Sequence, residues 1–426
     1  MKQRSSGRHA RSRANSPDGT ILLVVGSFPS DSTFLLKKCA LLLRKDSRIR
    51  IVCLESAPRR RQRQTTQSND ATFVAEHSDF AWTTESRVAA AVRLPLVLLS
   101  CLWRNPSGTL RYLRRGFRQF GSDVLRRLYL DAALIGCRPS LIHFEFGTLA
   151  VGRTHLAALL GCRIVVSCRG YDLNYTALDQ RDYYSNVWAH ADVVHVLGAD
   201  LWARAVKRGC PPEKPHVLIA PGVDAGVFEP GERVHTDVAG TSRRPLRVLS
   251  VGRLVWKKGY EHALGAMRML LDAGVRVEYR IVGDGDYIDA IAFARHQFDL
   301  EESVELVGPK RPDEVRDEML WADVFLHPAV SEGFCNAVIE AQAMRLPVVC
   351  TDADGLAENV ADGETGFVVP RRDIAAMATT LASLATDALL RQRMGEAGRR
   401  RAISRFSMTQ QIEAFGSLYQ ALLEAP

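Results

Sequence analysis

The sequence predicts an α/β protein of two doubly wound, Rossmann-like domains with a ligand cleft between them. Three observations carry this reading. Short apolar runs ending in Gly or polar turn residues alternate with helical periodicity, once through residues 20–220 and again through 246–369. Apolar runs of that length are strands buried on both faces, and strands alternating with helices form parallel sheets. A stretch rich in Gly, Pro and charge, residues 221–245, separates the two series, and 426 residues suffice for two domains or three.

Residues 1–19 are basic and Ser-rich without periodicity, which predicts a disordered tail. No apolar core of a signal peptide follows them. Residues 20–26 (TILLVVG) form a strand ending in a turn at Gly26; a helix over 34–43 and a strand over 49–54 complete a βαβ unit. Residues 57–87 are polar and read as a long loop. Residues 88–130 read as helices both apolar and basic. Strands follow at 141–144, 163–167, 193–197 and 216–220, with helices after Gly147 and near 180–190 and 200–207. The first domain therefore spans 20–225 and the linker 226–245. The second, 246–400, has strands at 247–251, 277–282, 304–307, 324–327, 347–351 and 366–369, with helices near 260–272, 286–298, 312–321 and 336–343. A last helix, 409–423 within residues 401–426, is placed to return to the first domain.

A net charge of +8 favours an anionic partner: a phosphate-bearing ligand, an acidic membrane surface or nucleic acid. Nine cysteines, an odd number with no CxxC pair, suit a reduced cytoplasmic chain. The longest apolar run, 88–103, is broken by Arg93 and Pro95 and falls short of a span, so membrane contact is expected to be peripheral, at the inner face.

The chemistry concentrates in two post-strand segments. In PAVSEGFCNAVIE (328–340), Gly333 allows a turn, and the amides of Phe334, Cys335, Asn336 and Ala337 open a helix whose N-terminus favours an anion. Glu332 and Glu340 flank that site, about 10 Å apart along the axis, and carboxylates accept from sugar hydroxyls. In VGRLVWKKG (251–259), Arg253 and Lys258 supply cations for a diphosphate. The two DxD triplets, Asp352-Ala353-Asp354 and Asp284-Gly285-Asp286, fit turn chemistry better than a metal site. Cys335 contributes only its backbone, and no GxGxxG fingerprint follows the first strand. The arginines of 88–130 have apolar residues interleaved, the pattern of a solvated face or of an interfacial helix on anionic lipid.

VGRLVWKKG, SEGFCNAVIEA, LPVVCTDADGLAENV and ADGETGFVVP together resemble the retaining GT4-type glycosyltransferases of GT-B fold. GSFPSDSTF, LIHFEFGT, RGYDL, ADVVHVLGADL and LIAPGVDAGVFEP follow the same order, and the closest pattern is that of bacterial exopolysaccharide and colanic-acid-type enzymes. The resemblance covers about residues 20–390. It implies a metal-independent, retaining transfer of a hexose from a nucleotide-diphosphate sugar to a hydroxyl acceptor, a glycan or lipid-linked saccharide. No cofactor beyond the donor is implied, and no nucleic acid. Arg253 and Lys258 would hold the diphosphate, Glu332 the transferred sugar and Glu340 the ribose. Gly283 would lie on the donor side, with residues 308–311, including Lys310, near the base. Gly26 and His143 would lie on the acceptor side. One departure is Arg169-Gly170, where such enzymes often read His-Gly; Arg169 changes the charge beside the reacting sugar. That departure leaves open a non-catalytic nucleotide-sugar-binding subunit of a synthesis complex. An epimerase or phosphorylase of related fold fits the motifs less well.

Overall fold

Ile21 to Val24 are fully buried, as strands covered on both faces require. They begin β1 (Ile21–Phe28) in a computed structural model that describes residues 19–28, 33–56, 69–81, 87–231 and 237–425. The first sheet also contains β2 (Ile49–Ser56), β3 (Ser78–Phe80), β4 (Leu141–Phe144), β5 (Arg163–Cys168), β6 (Val193–Val196) and β7 (His216–Leu218). Its order is β3-β2-β1-β4-β5-β6-β7, with Ile21 paired to Ile49 on one side and to Leu141 on the other. The second sheet contains β8 (Leu246–Val251), β9 (Val277–Val282), β10 (Val304–Gly308), β11 (Val324–His327), β12 (Val348–Thr351) and β13 (Gly366–Val369). Its order is β10-β9-β8-β11-β12-β13. The GT-B expectation of two parallel α/β sheets is met. In both, the strand order reverses beside the first strand, the switch point at which open parallel sheets bind ligands.

The first sheet carries α1 (Thr33–Lys45), α2 (Asn69–Glu76), α3 (Arg87–Arg104), α4 (Pro106–Phe120), α5 (Asp123–Gly136) and α6 (Ala199–Lys207). Asn105 punctuates α3 and α4. Its side chain accepts from Gly108 N–H at 3.0 Å, capping α4, and donates to the Ile135 carbonyl at 2.7 Å. Helix α3 is unusual in turning an apolar face outward. Val97 and Cys101 are buried, whereas Val88, Val92, Leu96, Leu99 and Trp103 are each 63–76% exposed. The second sheet carries α7 (Tyr260–Asp272) and α8 (Asn336–Ala343), and the chain closes with α9 (Met408–Glu424).

Tertiary contacts divide the chain into two compact units, residues 1–145, 152–165 and 419–426, and residues 146–151 and 166–418. The two sheets instead divide it between Leu218 and Leu246. Residues after β7 are tied to the end of the chain, Val223 N–H donating to the Phe406 carbonyl at 2.7 Å. Within the second unit Phe415 of α9 packs edge-on against His195, 4.9 Å between centroids. Within the first, Tyr419 of α9 hydrogen-bonds His143 of β4 at 2.7 Å.

Several local expectations need correction. Strand β1 runs on to Phe28, so Gly26 lies inside a strand and not at its terminal turn. The expected loop of 57–87 contains α2 and β3, which the sheet edge stabilises where local pattern does not; residues 57–68 and 82–86 lie outside the described residues. The helix near 180–190 is confined to Ser185–His190, and the strand at 216 stops at Leu218. The expected tail of 1–19 lies, up to residue 18, outside the described residues.

Candidate active site

The site is built in the second unit, where the loops after β8 and β11 lie side by side. The Lys257 carbonyl accepts the N–H groups of Val330 (2.8 Å) and Ser331 (3.3 Å), stitching one loop to the other. Gly259 closes the first loop at φ +66°, and a Cβ there would stand 2.3 Å from the Pro328 carbonyl oxygen; only glycine satisfies both demands.

This stitching brings Lys258 against Glu332. The ammonium hydrogen-bonds the Glu332 carboxylate and lies 3.4 Å from His327 Nε2, itself 3.6 Å from Glu332 Oε2. Both charged side chains are nearly buried, 11% and 13% exposed. Burial alone would raise the Glu332 pKa, but the Lys258 cation holds it well below the carboxylate range. Burial likewise works against the Lys258 charge, and the facing Glu332 keeps it protonated. The Glu332 carboxylate engages one ammonium hydrogen, and an ammonium carries three donors. Arg253 is exposed on the same loop, and its guanidinium has no hydrogen bond or ion pair among the described residues.

Glu340 differs from Glu332. It is half-buried on α8 and has no hydrogen-bond or ion-pair partner among the described residues; burial pushes its pKa up to about 7. A partly desolvated carboxyl without donors is suited to an incoming ligand's hydroxyls.

Gly333 is present for close approach rather than for the freedom of a positive φ. A Cβ on it would lie 2.9 Å from Gly170 Cα, and one on Gly355 would lie 2.2 Å from the Gly333 carbonyl oxygen. Three backbones, those of RGYD, SEGF and DADG, therefore meet at glycines. The helix N-terminus is also more committed than the sequence implies. Cys335 N–H donates to Asn359 Oδ1 at 3.3 Å and Asn359 Nδ2 returns a bond to the Cys335 carbonyl at 3.1 Å, so that amide is not free for an anion. Phe334, Asn336 and Ala337 stand beside it at the start of α8.

Arg169 is buried, its guanidinium 5.2 Å from the centroid of the Phe146 ring. Its N–H donates to Asp172, which also accepts Thr148 N–H. Asn174 donates to Asp354 Oδ2 (3.2 Å) and to Ser331 Oγ (3.4 Å), and its buried Oδ1 has no partner among the described residues. Tyr175 meets Trp256 edge-on with Lys257 over its ring.

The carboxylates of the Asp352–Asp354 triplet are met by arginines. Asp354 is bonded by Arg204 (2.7 Å) and Arg371 (3.2 Å), and Asp352 caps Arg371 N–H at 2.8 Å. Asp284 accepts the N–H of Gly285 in its own turn. His327, Glu332 and Cys335 bring three ligand-type atoms within 4.8 Å of one another. A metal there would have to displace the Lys258 ammonium from Glu332.

The remaining expected residues are placed less uniformly. Gly283 N–H donates to the Gly308 carbonyl, and its Cα packs so closely on Gly252 that a Cβ would lie 1.9 Å from that carbonyl oxygen; it thereby supports the turn carrying Arg253. Lys310 lies 3.9 Å from Glu318, which Arg280 also bonds, and makes no bond to the Lys258–Glu332 pair. His143 is fully buried and bonded to Tyr419, so it acts in the core and not as a surface that receives an acceptor. Gly26 is a strand residue. Sequence reasoning missed Asn359, Glu358, which accepts the N–H groups of Ala199 and Asp200 at the start of α6, and Asn174. Asn359 and Glu358 do fall in LPVVCTDADGLAENV, the only signal that marked them.

The model of the glycosyl transferases group 1 family matches residues 236–401. A putative colanic acid biosynthesis glycosyltransferase, WcaL, of Salmonella typhimurium is 36% identical over 281 residues, 62% of this chain and 67% of that protein. Its namesake in Escherichia coli is 30% identical over 383 residues, 84% of this chain and 88% of that protein. Among solved structures, Anabaena HepE in complex with UDP superposes with a TM-score of 0.69 at 14% identity, covering 94% of this chain and all of that one. The shared motifs, the paired sheets and a relative aligned along most of both chains lead to one assignment: the chain belongs to the group 1 glycosyltransferases and has the GT-B fold.

Proposed function

We propose that this chain is a retaining, metal-independent hexosyltransferase that uses a nucleotide-diphosphate sugar and serves exopolysaccharide synthesis. The observation that carries the reading is the nearly buried Lys258–Glu332 pair, followed eight residues on by the Glu340 carboxyl within α8, which has no partner among the described residues. Lys258 and Arg253 bind the diphosphate and stabilise it as it leaves. Glu332, kept ionised by Lys258, accepts hydroxyls of the transferred sugar, and Glu340 accepts those of the ribose. No carboxylate is assigned as a nucleophile; the acceptor hydroxyl attacks from the face the diphosphate leaves. The relatives named for colanic acid biosynthesis support the polysaccharide role, and HepE crystallised with UDP supports a uridine donor as the first to try.

The acceptor is a glycan or lipid-linked saccharide met at an anionic membrane surface. No helix among the described residues is long and apolar enough to cross a membrane. The outward apolar face of α3 and exposed Leu110 and Phe117 of α4 supply a surface that lies on one.

The test incubates the protein with UDP-, GDP- and ADP-hexoses and a lipid extract, with and without EDTA, and reads the anomeric configuration of the product by NMR. Turnover in EDTA with retained configuration is expected. Donor binding without turnover on any extract would favour the binding-subunit reading, which buried Arg169 motivates. Loss of turnover in EDTA with rescue by manganese would overturn metal independence.

A further inference from the structure

We infer that the first unit holds a phosphate-binding pocket built from four arginines and separate from the donor site. A cavity of about 250 Å³ is lined by Arg48, Arg50, Arg104 and Arg138, together with Asp79 and Cys137. It lies where β1, β2 and β4 begin, since Thr20, Ser47 and Arg138 precede those strands. The ligand sites of parallel sheets lie at the opposite, C-terminal ends, so this pocket is no part of the transfer chemistry.

Each guanidinium is tethered by one edge. Arg48 grips Asp46 (2.8 and 3.1 Å), and Arg104 donates to Asp79 at 3.0 Å. Arg50 donates to the carbonyls of Ser47 and Ile49, both at 2.9 Å, and Arg138 donates to the Arg104 carbonyl at 2.6 Å. A guanidinium has five N–H groups, so tethering orients these side chains without exhausting their donors. Asp46 and Asp79 offset two of the four charges and two remain. Arg138 is held at φ +52°, a backbone conformation that costs energy outside glycine and clusters where structure serves a site. Oriented forks around a small cavity with two excess positive charges match a phosphate monoester, a dianion with several acceptor oxygens.

The phosphate can come from a small metabolite or from a lipid headgroup. Arg104 directly follows Trp103, the last residue of the exposed apolar stripe on α3. A headgroup phosphate in the pocket would therefore leave its acyl chains beside that stripe. Only this lipid source rests on the membrane reading above; the pocket itself stands on its own geometry.

Calorimetry with inorganic phosphate on wild type and on Arg50→Gln/Arg138→Gln tests the pocket, and flotation with phosphatidylcholine vesicles carrying phosphatidic acid or phosphatidylglycerol at equal charge tests the source. Phosphate affinity should fall about tenfold or more in the double variant, with nucleotide-sugar affinity unchanged. A preference for phosphatidic acid that vanishes in the variant assigns the pocket to lipid; phosphate binding without that preference assigns it to a soluble phosphate. Arg50→Gln alone changes one exposed side chain and controls for folding. Equal phosphate affinity and equal vesicle binding in wild type and variants would overturn the pocket. Loss of nucleotide-sugar binding in wild type would instead overturn the donor-site reading.

Discussion

Glu340 offers the sharpest test of the donor site, because its charge depends on whether the site is filled. Burial without a partner raises its pKa to about 7, against about 4.3 for an ordinary glutamate. At pH 6.5 such a group is about three-quarters protonated, and at pH 8 about one-tenth. Ribose hydroxyls that donate to the carboxylate stabilise its ionised form. Binding of a nucleotide-sugar at pH 6.5 should therefore release about 0.7 proton, falling to about 0.1 at pH 8, and affinity should tighten about 25-fold between pH 5.5 and 7.5. The diester phosphates of the ligand do not titrate near neutrality, so calorimetry in two buffers of different ionisation enthalpy reads this proton directly. Stability runs the other way. The folded pKa lies above the unfolded one, so the folded chain holds a proton that the unfolded chain loses first. Stability then falls as pH rises from about 4 to about 7 and levels off above, by at most about 4 kcal/mol and less by the share that solvent screens. Glu340→Gln should abolish the proton release, weaken donor binding and remove the fall in stability. Equal proton release in Glu340→Gln, or none in wild type, would refute the assignment of Glu340 to the donor.

Lys258→Ala should weaken donor binding about 10- to 100-fold and cost about 3 kcal/mol of stability at pH 7, since it strands the buried Glu332 charge. Because the folded pKa of Glu332 is depressed, that stability is present at neutral pH and lost as pH falls below the carboxylate range, so denaturant melts of wild type and variant should converge in acid. Gly333→Ala forces apart two backbones that leave 2.9 Å for the new Cβ; kcat/KM should drop about tenfold or more while circular dichroism stays native. At the membrane, Leu96→Ser/Leu99→Ser/Trp103→Ser should weaken sedimentation with anionic liposomes about 100-fold or more without touching soluble donor binding. Arg114→Gln/Arg118→Gln should remove about 1 kcal/mol per charge of salt-sensitive attraction. Arg111 and Arg115 should matter less there, since they donate to the carbonyls of Leu160 and Ala158.

How far the sequence reaches follows from the range of the forces involved. The strands of the second sheet were legible nearly to the residue, because a parallel strand must be apolar on both faces and its end is punctuated by glycine or charge. Strand β3 was not, because Ser78-Asp79-Phe80 is half-exposed and exists only by pairing with β2. Within the site, Lys258 and Glu332 were identified as functional, but their direct pairing 74 residues apart is a tertiary fact that no local pattern encodes. The same holds for Asn359, which takes the Cys335 amide from the anion site. His143, which the family resemblance places on the acceptor side, is enclosed instead by a tyrosine 276 residues away on α9. Gly333 reads as a turn glycine in the sequence, and a turn glycine and a close-approach glycine look alike until the opposing Gly170 is in view.

The net charge of the chain is concentrated in one segment. Residues 87–138 contain ten arginines and two aspartates, a net of +8, which is the net charge of the whole chain; the rest carries 46 cations and 46 anions. That balance outside the segment matches what the site shows in detail, where Lys258 faces Glu332, and Arg204 and Arg371 face Asp354. A donor site built this way attracts a diphosphate by a few aimed donors rather than by a diffuse field, and close, partly buried contacts are screened little by salt. Attraction to an anionic surface depends instead on many exposed charges acting at long range. The excess is concentrated in helices α3 to α5, beside the outward apolar face of α3, and the proposed membrane contact rests on that segment while the charges of the site are paired. The excess charge and the paired charges of the site lie in different segments, so the two can be altered separately by mutation.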